Sequence, residues 1–467
     1  MINNWNSTQY KAVESIIEKR KNVLITGPAG AGKTEVIKNV IKSFKLQKKK
    51  IGITALTSQG SLQIGGKTLN SYLSLNIEKI KLPKHKIIEE LLKKERLNQT
   101  IKNLDCFIID QVHLLETFVF ELIDELFKTV KDEFELPFGG LQIVLVGDFY
   151  NCIKQPKYLF QCCTFWDCIE EMHPLQEIYR QTDLEFITFL QKIRRNELSQ
   201  KEMNLLNECW NKNVCVKDVK PTLFLDESNS KIEQENLKEL DLLEGPNYEF
   251  PVISGTLKNG QFLSTNESTY YVDTINPCTS LKLNSQVMLC HNINVDYGLI
   301  CGSRGIVIGF TDIKPDAKKT DFTDLTKEYL VPDDIQLPIV QFCNGIQMKI
   351  PYFKDTLKED NDIICWRIGL KLGWYINFEL SDAYTIDCIK MNVNTLKYPL
   401  LAISKCKNLH SLCLVEKVKN NTFFVDKAIL NFYDFPFHLQ KNLSTEDMEL
   451  ITEKELLQSL EKIKWLA

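Results

Sequence analysis

An eight-residue run, Gly27-Pro28-Ala29-Gly30-Ala31-Gly32-Lys33-Thr34, constrains this chain more than any other part of it. It follows a short apolar stretch, Asn22–Thr26, and opens a segment of helical periodicity, Lys33–Phe44. Glycines in this pattern let successive backbone N–H groups turn inward. The N-terminus of the following helix adds the positive end of its dipole, so the turn holds an anion. Gly27, Gly30, Ala31 and Gly32 are expected to line phosphates. Lys33 is expected to reach the β- and γ-phosphates, and Thr34 to offer its hydroxyl to magnesium. The run predicts a nucleoside triphosphate site with Mg2+.

Such a site needs a carboxylate at the end of a neighbouring strand. Cys106–Ile109 is a compact apolar strand ending in Asp110, the expected metal ligand beside Thr34, and Leu141–Val146 is a second strand running into Gly147-Asp148. The amphipathic helix Glu116–Val130 separates them. Before them, residues 1–75 alternate helix (Gln9–Lys19), strand, helix, strand (Lys50–Thr54) and helix (Ser71–Leu75). Short strands alternating with helices predict an α/β fold with a mostly parallel sheet covered on both faces. Residues 76–104 form a lysine-rich helical insert. From about Leu281 to Phe342 turn residues and β-branched runs dominate, as in Ser285–Cys290 and Gly305–Phe310, and suggest a small inserted β-barrel. The α/β pattern returns near Leu370 and continues to about Phe437. Leu443–Ala467 reads as an amphipathic helix pair, with a capping box at Thr452 and Glu455 and an apolar face of Leu456, Leu457, Leu460 and Ile463.

Composition narrows the class. A chain of 467 residues suits two to four domains. Its formal net charge of -4 and pI of about 6.0 give no global basicity, so nucleic acid, if bound, must meet a local groove. The 15 cysteines contain no CxxC pair, and the crowded Cys162, Cys163 and Cys168 suit neither a zinc ribbon nor a finger. Reduced, mostly buried thiols in an intracellular, reducing compartment, nucleus or cytoplasm, are the expectation. The N-terminus carries no signal-peptide pattern, and no apolar run is long enough to span a membrane.

Further blocks accompany the phosphate run. Asn6-Ser7-Thr8-Gln9 precedes it, and the segment from Ile53 to Leu73 contains Ile64-Gly65-Gly66 and Thr68-Leu69. Pro137-Phe138-Gly139-Gly140 leads into Gly147-Asp148-Phe149. Glu177-Ile178-Tyr179-Arg180-Gln181 is followed by Asp183 and Phe186. The β-rich region carries Val287-Met288-Leu289, Asn292, Gly298-Leu299 and Gly302-Ser303-Arg304-Gly305. In this order, from Gln9 to about Leu412, the blocks resemble the Pif (petite integration frequency) helicases and their RecD-like relatives in superfamily 1.

The resemblance implies two RecA-like P-loop motor domains with parallel sheets and an inserted SH3-like β-barrel. The first motor would span 1–215, with 76–104 as a small helical wedge. The second would comprise 216–280 and 368–440, the SH3-like insert 281–367, and C-terminal helices 441–467. It implies ATP as the nucleotide, with Gln9 reading adenine. The partner would be single-stranded DNA or a DNA fork, travelled 5′ to 3′ in replication, recombination or repair by a protein monomeric when free. Thr57, Thr68 and Ser71 lie on loops suited to DNA phosphates, and Tyr150 is a candidate platform for a base.

Several catalytic positions depart from the family pattern. The acid expected after Asp110 is Gln111, an amide that cannot take a proton from attacking water. Asn151 stands where the family has a glutamine sensing the γ-phosphate, and the usual HKSQG reads Glu379-Leu380-Ser381-Asp382-Ala383. The final SRV reads Ser404-Lys405-Cys406, leaving Arg180 as the clear charge-stabilising arginine. The candidate catalytic set is thus Lys33, Asp110, Gln111, Asn151, Arg180 and Lys405. Losing a general base costs ~10²–10⁴ in rate, and losing an arginine finger ~10³–10⁵. Two readings follow: an ATP-dependent 5′-to-3′ DNA helicase with weakened hydrolysis, or a pseudo-helicase that binds ATP or DNA as a structural or regulatory module.

Overall fold

The computed structural model describes residues 5–75, 82–152, 157–212, 219–258, 261–264, 278–294, 297–314, 320, 329–357, 363–378, 380–381 and 384–437. The helix pair expected over Leu443–Ala467 lies outside these residues, as do Glu379, Asp382 and Ala383. The chain divides into two compact units: residues up to Tyr179 together with the chain from Phe424, and Arg180–Phe423.

In the first unit the chain forms α1 (Ser7–Ile17), β1 (Val23–Thr26), α2 (Lys33–Leu46), β2 (Ile51–Ala55), α3 (Ser58–Gln63), β3 (Lys67–Thr68) and α4 (Leu69–Leu73). It continues through α5 (Lys84–Leu92), α6 (Glu95–Lys102), β4 (Cys106–Asp110), α7 (Thr117–Lys131), β5 (Gln142–Val146), α8 (Cys163–Cys168) and β6 (Glu171–Pro174). The six strands make one sheet in the order β3-β2-β4-β5-β1-β6, with every pair parallel. Successive side chains point to opposite faces. Val23, Ile25, Cys106, Ile108, Val144 and Val146 therefore enter one core with α1 and α2. Leu24, Phe107, Ile109, Ile143 and Leu145 enter the other with α7. Cover on both faces is why these strands read as unbroken apolar runs. The register sets Ala55 beside Asp110, Asp110 beside Val146, and Val146 beside Ile25. The strands' carboxyl ends and the glycine-rich turn thus share one edge, where open α/β sheets bind ligands. The described part of the lysine-rich insert is helical as expected: Ile87, Ile88 and Leu91 of α5 and Leu97 and Ile101 of α6 pack into the α7 core.

In the second unit follow α9 (Leu184–Arg195), α10 (Gln200–Asn207), β7 (Thr222–Phe224), α11 (Asn229–Asp241), β8 (Tyr248–Pro251), β9 (Ile253–Lys258) and β10 (Gln261–Ser264). Next come β11 (Cys278–Leu281), β12 (Gln286–Leu289), β13 (Arg304–Phe310), β14 (Tyr329–Leu330), β15 (Pro338–Phe342), β16 (Gln347–Lys349), β17 (Tyr352–Leu357) and β18 (Ile363–Ile368). The unit ends with β19 (Leu370–Leu372), β20 (Tyr375–Ile376), β21 (Ile389–Met391), α12 (Pro399–Ile403) and β22 (Leu412–Leu414). Four short strands form a parallel sheet in the order β20-β7-β21-β22. The β-rich region is wider than 281–367. It starts at Tyr248 and forms two five-stranded antiparallel sheets, β10-β9-β18-β17-β14 and β16-β15-β13-β12-β19, plus the pair β11-β8. Pairing of β9 with β18 joins stretches about a hundred residues apart in sequence, which local patterning does not reveal. Among the described residues no pairing closes either sheet into a barrel.

The boundary expected at 215 falls between Tyr179 and Arg180, because Phe186, Phe189, Leu190 and Ile193 of α9 pack with Phe224, Ile389 and Leu414. The boundary expected at 440 falls before Phe424. There α13 (Lys427–Asp434) returns to the first unit and lays Phe432, 2% exposed, among Phe149, Phe160, Phe165 and Trp166. Emptying that position by Phe432→Ala is expected to cost about 3–5 kcal/mol, the range for a buried aromatic. Denaturant melts checked against Phe432→Leu would read it, and a loss equal for both variants would contradict a size-dependent packing role.

Candidate nucleotide site

The turn after β1 is built on glycines for steric reasons. Gly27 has φ 143°, and a Cβ there would lie 2.2 Å from the Leu175 carbonyl oxygen. Gly32 has φ 84°, and a Cβ there would lie 2.7 Å from Nε2 of Gln9. Lys33 folds back across the turn, its Nζ donating to the carbonyl oxygens of Gly27 at 2.6 Å and Pro28 at 2.9 Å. The ammonium therefore faces the loop interior, where Gly30, Ala31 and Gly32 also lie. Thr34 sits in the first turn of α2.

Gln9 forms one wall. Asn6 caps α1 through a capping box with Gln9, which is buried and whose Nε2 donates to the Ala31 carbonyl at 3.5 Å. Tyr179 forms another wall. Its backbone N–H donates to Gly30 O at 2.9 Å, and its hydroxyl accepts from Asn6 Nδ2 at 3.0 Å and donates to Glu177 Oε2 at 2.9 Å. Desolvation, and then the Glu177 carboxylate, hold the phenol above its ordinary pKa. The ring is 52% exposed. In the sequence Tyr179 stands in the Glu177–Gln181 block without an assigned role; its signal there is an aromatic one residue before the candidate arginine.

Asp110 is buried at the end of β4, and the Gln111 N–H donates to its Oδ1 at 2.7 Å. Gln111 adopts the left-handed region, φ 63°. Its Oε1 accepts from the Thr57 N–H at 3.0 Å and the Thr57 hydroxyl at 2.6 Å. Thr57, a candidate DNA-phosphate donor, is thus brought to the residue after Asp110, the candidate metal ligand. Thr68 caps α4, its Oγ1 accepting from Ser71 N at 3.2 Å, and pairs beside Ala55 of β2, two residues before Thr57.

Asp148 caps the helical turn Phe149–Asn151, accepting from Tyr150 N at 3.3 Å, and Asn151 is buried at the end of that turn. Tyr150 departs from its expected role. Its ring is 7% exposed and stacks on Tyr433 with centroids 4.7 Å apart, so the face offered to a base is already covered by a side chain. Tyr433 was not singled out by sequence reading. Its hydroxyl contacts Thr26 Oγ1 at 2.6 Å, Phe149 N at 3.0 Å and Asp148 Oδ1 at 3.3 Å.

The remaining candidates lie in the second unit. Lys405 is 2% exposed and donates to the Ser381 carbonyl at 2.8 Å, an interior placement rather than a side chain extended into solvent. Gln181, beside Arg180, donates to the carbonyls of Ser404 at 2.8 Å and Cys406 at 2.9 Å. The structure thereby joins the segment after Tyr179 to the segment around Lys405.

Chemically, the first unit offers an anion-binding turn with a lysine, a hydroxyl in the first helical turn, and a buried carboxylate on the same sheet edge. One carboxylate and one hydroxyl are hard oxygen donors that fit magnesium when phosphates complete its shell.

Comparison with known proteins points to one family. Residues 1–203 match the PIF1-like helicase family, and residues 275–310 match the DNA helicase Pif1 2B domain. The ATP-dependent DNA helicase PIF1 of Xenopus laevis is 26% identical over 421 residues, covering 88% of this chain and 61% of that protein. The ATP-dependent DNA helicase RRM3 of Saccharomyces cerevisiae is 26% identical over 425 residues, covering 88% of this chain and 55% of its own. This chain therefore spans less than two thirds of the length of these curated relatives. Pif1 of Bacteroides, solved with ADP-AlF4, superposes with a TM-score of 0.68 at 20% identity over 92% of this chain and 96% of that one, a likeness of fold. Among the described residues, no helix is long and apolar enough to cross a membrane.

Proposed function

Because the chain belongs to the PIF1-like helicase family, we propose that it is an ATP-dependent DNA helicase that moves 5′ to 3′ on single-stranded DNA in replication, recombination or repair. The observation that carries this reading is the arrangement around the glycine-rich turn of the first unit. Lys33 faces the loop interior, Gln9 and Tyr179 wall it, and Asp110 stands on the same sheet edge. A Bacteroides Pif1 is solved bound to single-stranded DNA, and another Pif1 structure concerns unwinding at forked double-stranded DNA, which supports the choice of partner. In this reading the two units are the motors, and the antiparallel sheets belong to an SH3-like insert within the second.

Each residue then has a task. Gln9 and Tyr179 hold the base, while Gly27, Gly30, Ala31, Gly32 and Lys33 bind phosphates. Thr34 and Asp110 would hold Mg2+, which supplies charge neutralisation on the phosphate oxygens. Asn151 reads the γ-phosphate, Arg180 and Lys405 serve the second motor's side, and Gln111 orients rather than deprotonates water. Thr57, Thr68 and Ser71 face DNA phosphates, with Thr57 linked directly to Gln111. The protein acts as a monomer in a reducing, intracellular setting. The substitutions at Gln111 and Lys405 lower its rate without changing its reaction.

Strand displacement on forks with a 5′ or a 3′ single-stranded arm tests the assignment. Displacement only with the 5′ arm and only with ATP is expected. Single-strand affinity should fall steeply with salt, by ~10²–10³ between 50 and 200 mM if about six phosphates are neutralised, with slight sequence preference. Salt-independent binding, or displacement only from the 3′ arm, would overturn the reading.

A further inference from the structure

We propose that Tyr433 is a positioning residue of the nucleotide site, a strut from α13 that fixes the γ-phosphate-facing turn against the start of the phosphate-binding loop. The inference rests on the helicase reading for the reaction it serves, but its geometry stands independently.

Three bonds converge on one hydroxyl. The Asp148 carboxylate only accepts, so the phenol donates to its Oδ1, 3.3 Å away. The Phe149 N–H, at 3.0 Å, and the Thr26 hydroxyl, at 2.6 Å, then donate to the phenol oxygen. That arrangement uses its one proton and both lone pairs. Thr26 ends β1 immediately before Gly27, and Asp148 begins the turn that ends at Asn151, whose N–H donates to the Asp148 carbonyl at 2.9 Å. The hydroxyl therefore ties the loop that grips the phosphates to the turn that would read the last of them. Thr26 and Asp148 are at most 1% exposed, so water cannot readily replace a lost bond.

Neighbouring contacts aim the hydroxyl. Phe432 anchors α13 in the aromatic core, and Asp426, the helix N-cap, accepts from Tyr158 at 3.2 Å. The Tyr433 ring lies flat on Tyr150, with an interplanar angle of 12°, inside the same turn. A segment remote in sequence thus sets the distance between two halves of a phosphate site. Misplacement of such groups by about 1 Å costs rate far more than it costs binding.

Tyr433→Phe in the full chain removes only the hydroxyl and keeps the stack on Tyr150. Its kcat for DNA-stimulated ATP hydrolysis is expected to fall on the order of tenfold with KM changed less than about twofold, the pattern of a lost transition-state contact. Preference for a non-hydrolysable ATP analogue over ADP should fall with it. Amide exchange at Phe149–Asn151 should rise on the order of tenfold while β5 and α7 stay protected. Thr26→Val should reproduce these effects, and the double variant should add little, since both remove one strut. Unchanged exchange, kcat and analogue preference would overturn the proposal. So would a local rise in exchange without loss of kcat or preference, or a rise spread through the first unit, which marks ordinary packing. If the unaltered chain binds no nucleotide, the helicase reading fails, and the exchange pattern of the two single variants still decides the strut.

Discussion

Lys33→Ala is expected to reduce ATP turnover by at least ~10³-fold and to weaken nucleotide binding. The ammonium lies across the loop, 2.6 and 2.9 Å from two of its carbonyl oxygens, where it meets incoming phosphate oxygens. Removing one preorganised donor at developing charge costs ~10²–10³, and this one also carries a full charge into a partly buried site. The two carbonyls it leaves belong to Gly27 and Pro28, both buried, so their lost bonds should also lower stability by about 1–3 kcal/mol. Lys33→Arg keeps the charge but presents a planar fork to a loop shaped for a compact ammonium, and should recover binding better than turnover. Phosphate release with and without single-stranded DNA, alongside nucleotide titration, reads both effects. Turnover of Lys33→Ala within threefold of the unaltered chain would remove the phosphate site from the mechanism.

Much of the first unit was legible because its signals are local. β1, β4 and β5 are apolar runs that end where a glycine or acid must stand at a sheet edge, and their bounds lie within a residue of those expected. The helix after Lys33 follows from the same run that binds phosphate. What escaped depends on partners distant in sequence. Tyr150 reads as a free aromatic until Tyr433 covers it, and nothing near residue 150 announces a stack with residue 433. Thr57 reads as a loop hydroxyl until Gln111 takes both its donors. Lys405 reads as a reaching cation, yet its ammonium ends on the Ser381 carbonyl inside the second unit. The division between units separates adjacent residues of one motif. Tyr179 bonds to Gly30, while Gln181, two residues on, clamps Ser404 and Cys406. Periodicity cannot place such a cut, because both sides belong to one continuous block of sequence.

Gln111→Glu is expected to raise DNA-stimulated hydrolysis by ~10²-fold or more, the range for restoring a general base. The geometry admits the change without rearrangement. The amide oxygen accepts from the Thr57 N–H and hydroxyl, and a carboxylate oxygen accepts the same two bonds at the same places. The backbone already holds φ 63° with a side chain of nearly identical shape, so no new backbone strain enters. A second negative charge beside Asp110 raises carboxylate pKa values there, which favours a base over a spectator. Thr57 then decides whether DNA matters to the step. Thr57→Val in the Gln111→Glu background removes the hydroxyl donor and loosens the base's tie to the loop proposed to meet DNA, leaving only the residue-57 N–H bond. Basal turnover should rise, and its stimulation by DNA should shrink. Lys405→Arg should help only in the presence of Gln111→Glu, because groups acting on one transition state are not additive. Its larger head must also fit where the lysine is now 2% exposed. A Gln111→Glu variant no faster than the unaltered chain would place the limit in the second unit instead. Turnover by the unaltered chain of ~1 s⁻¹ or more, an ordinary enzyme rate, would mean that another group already takes the proton.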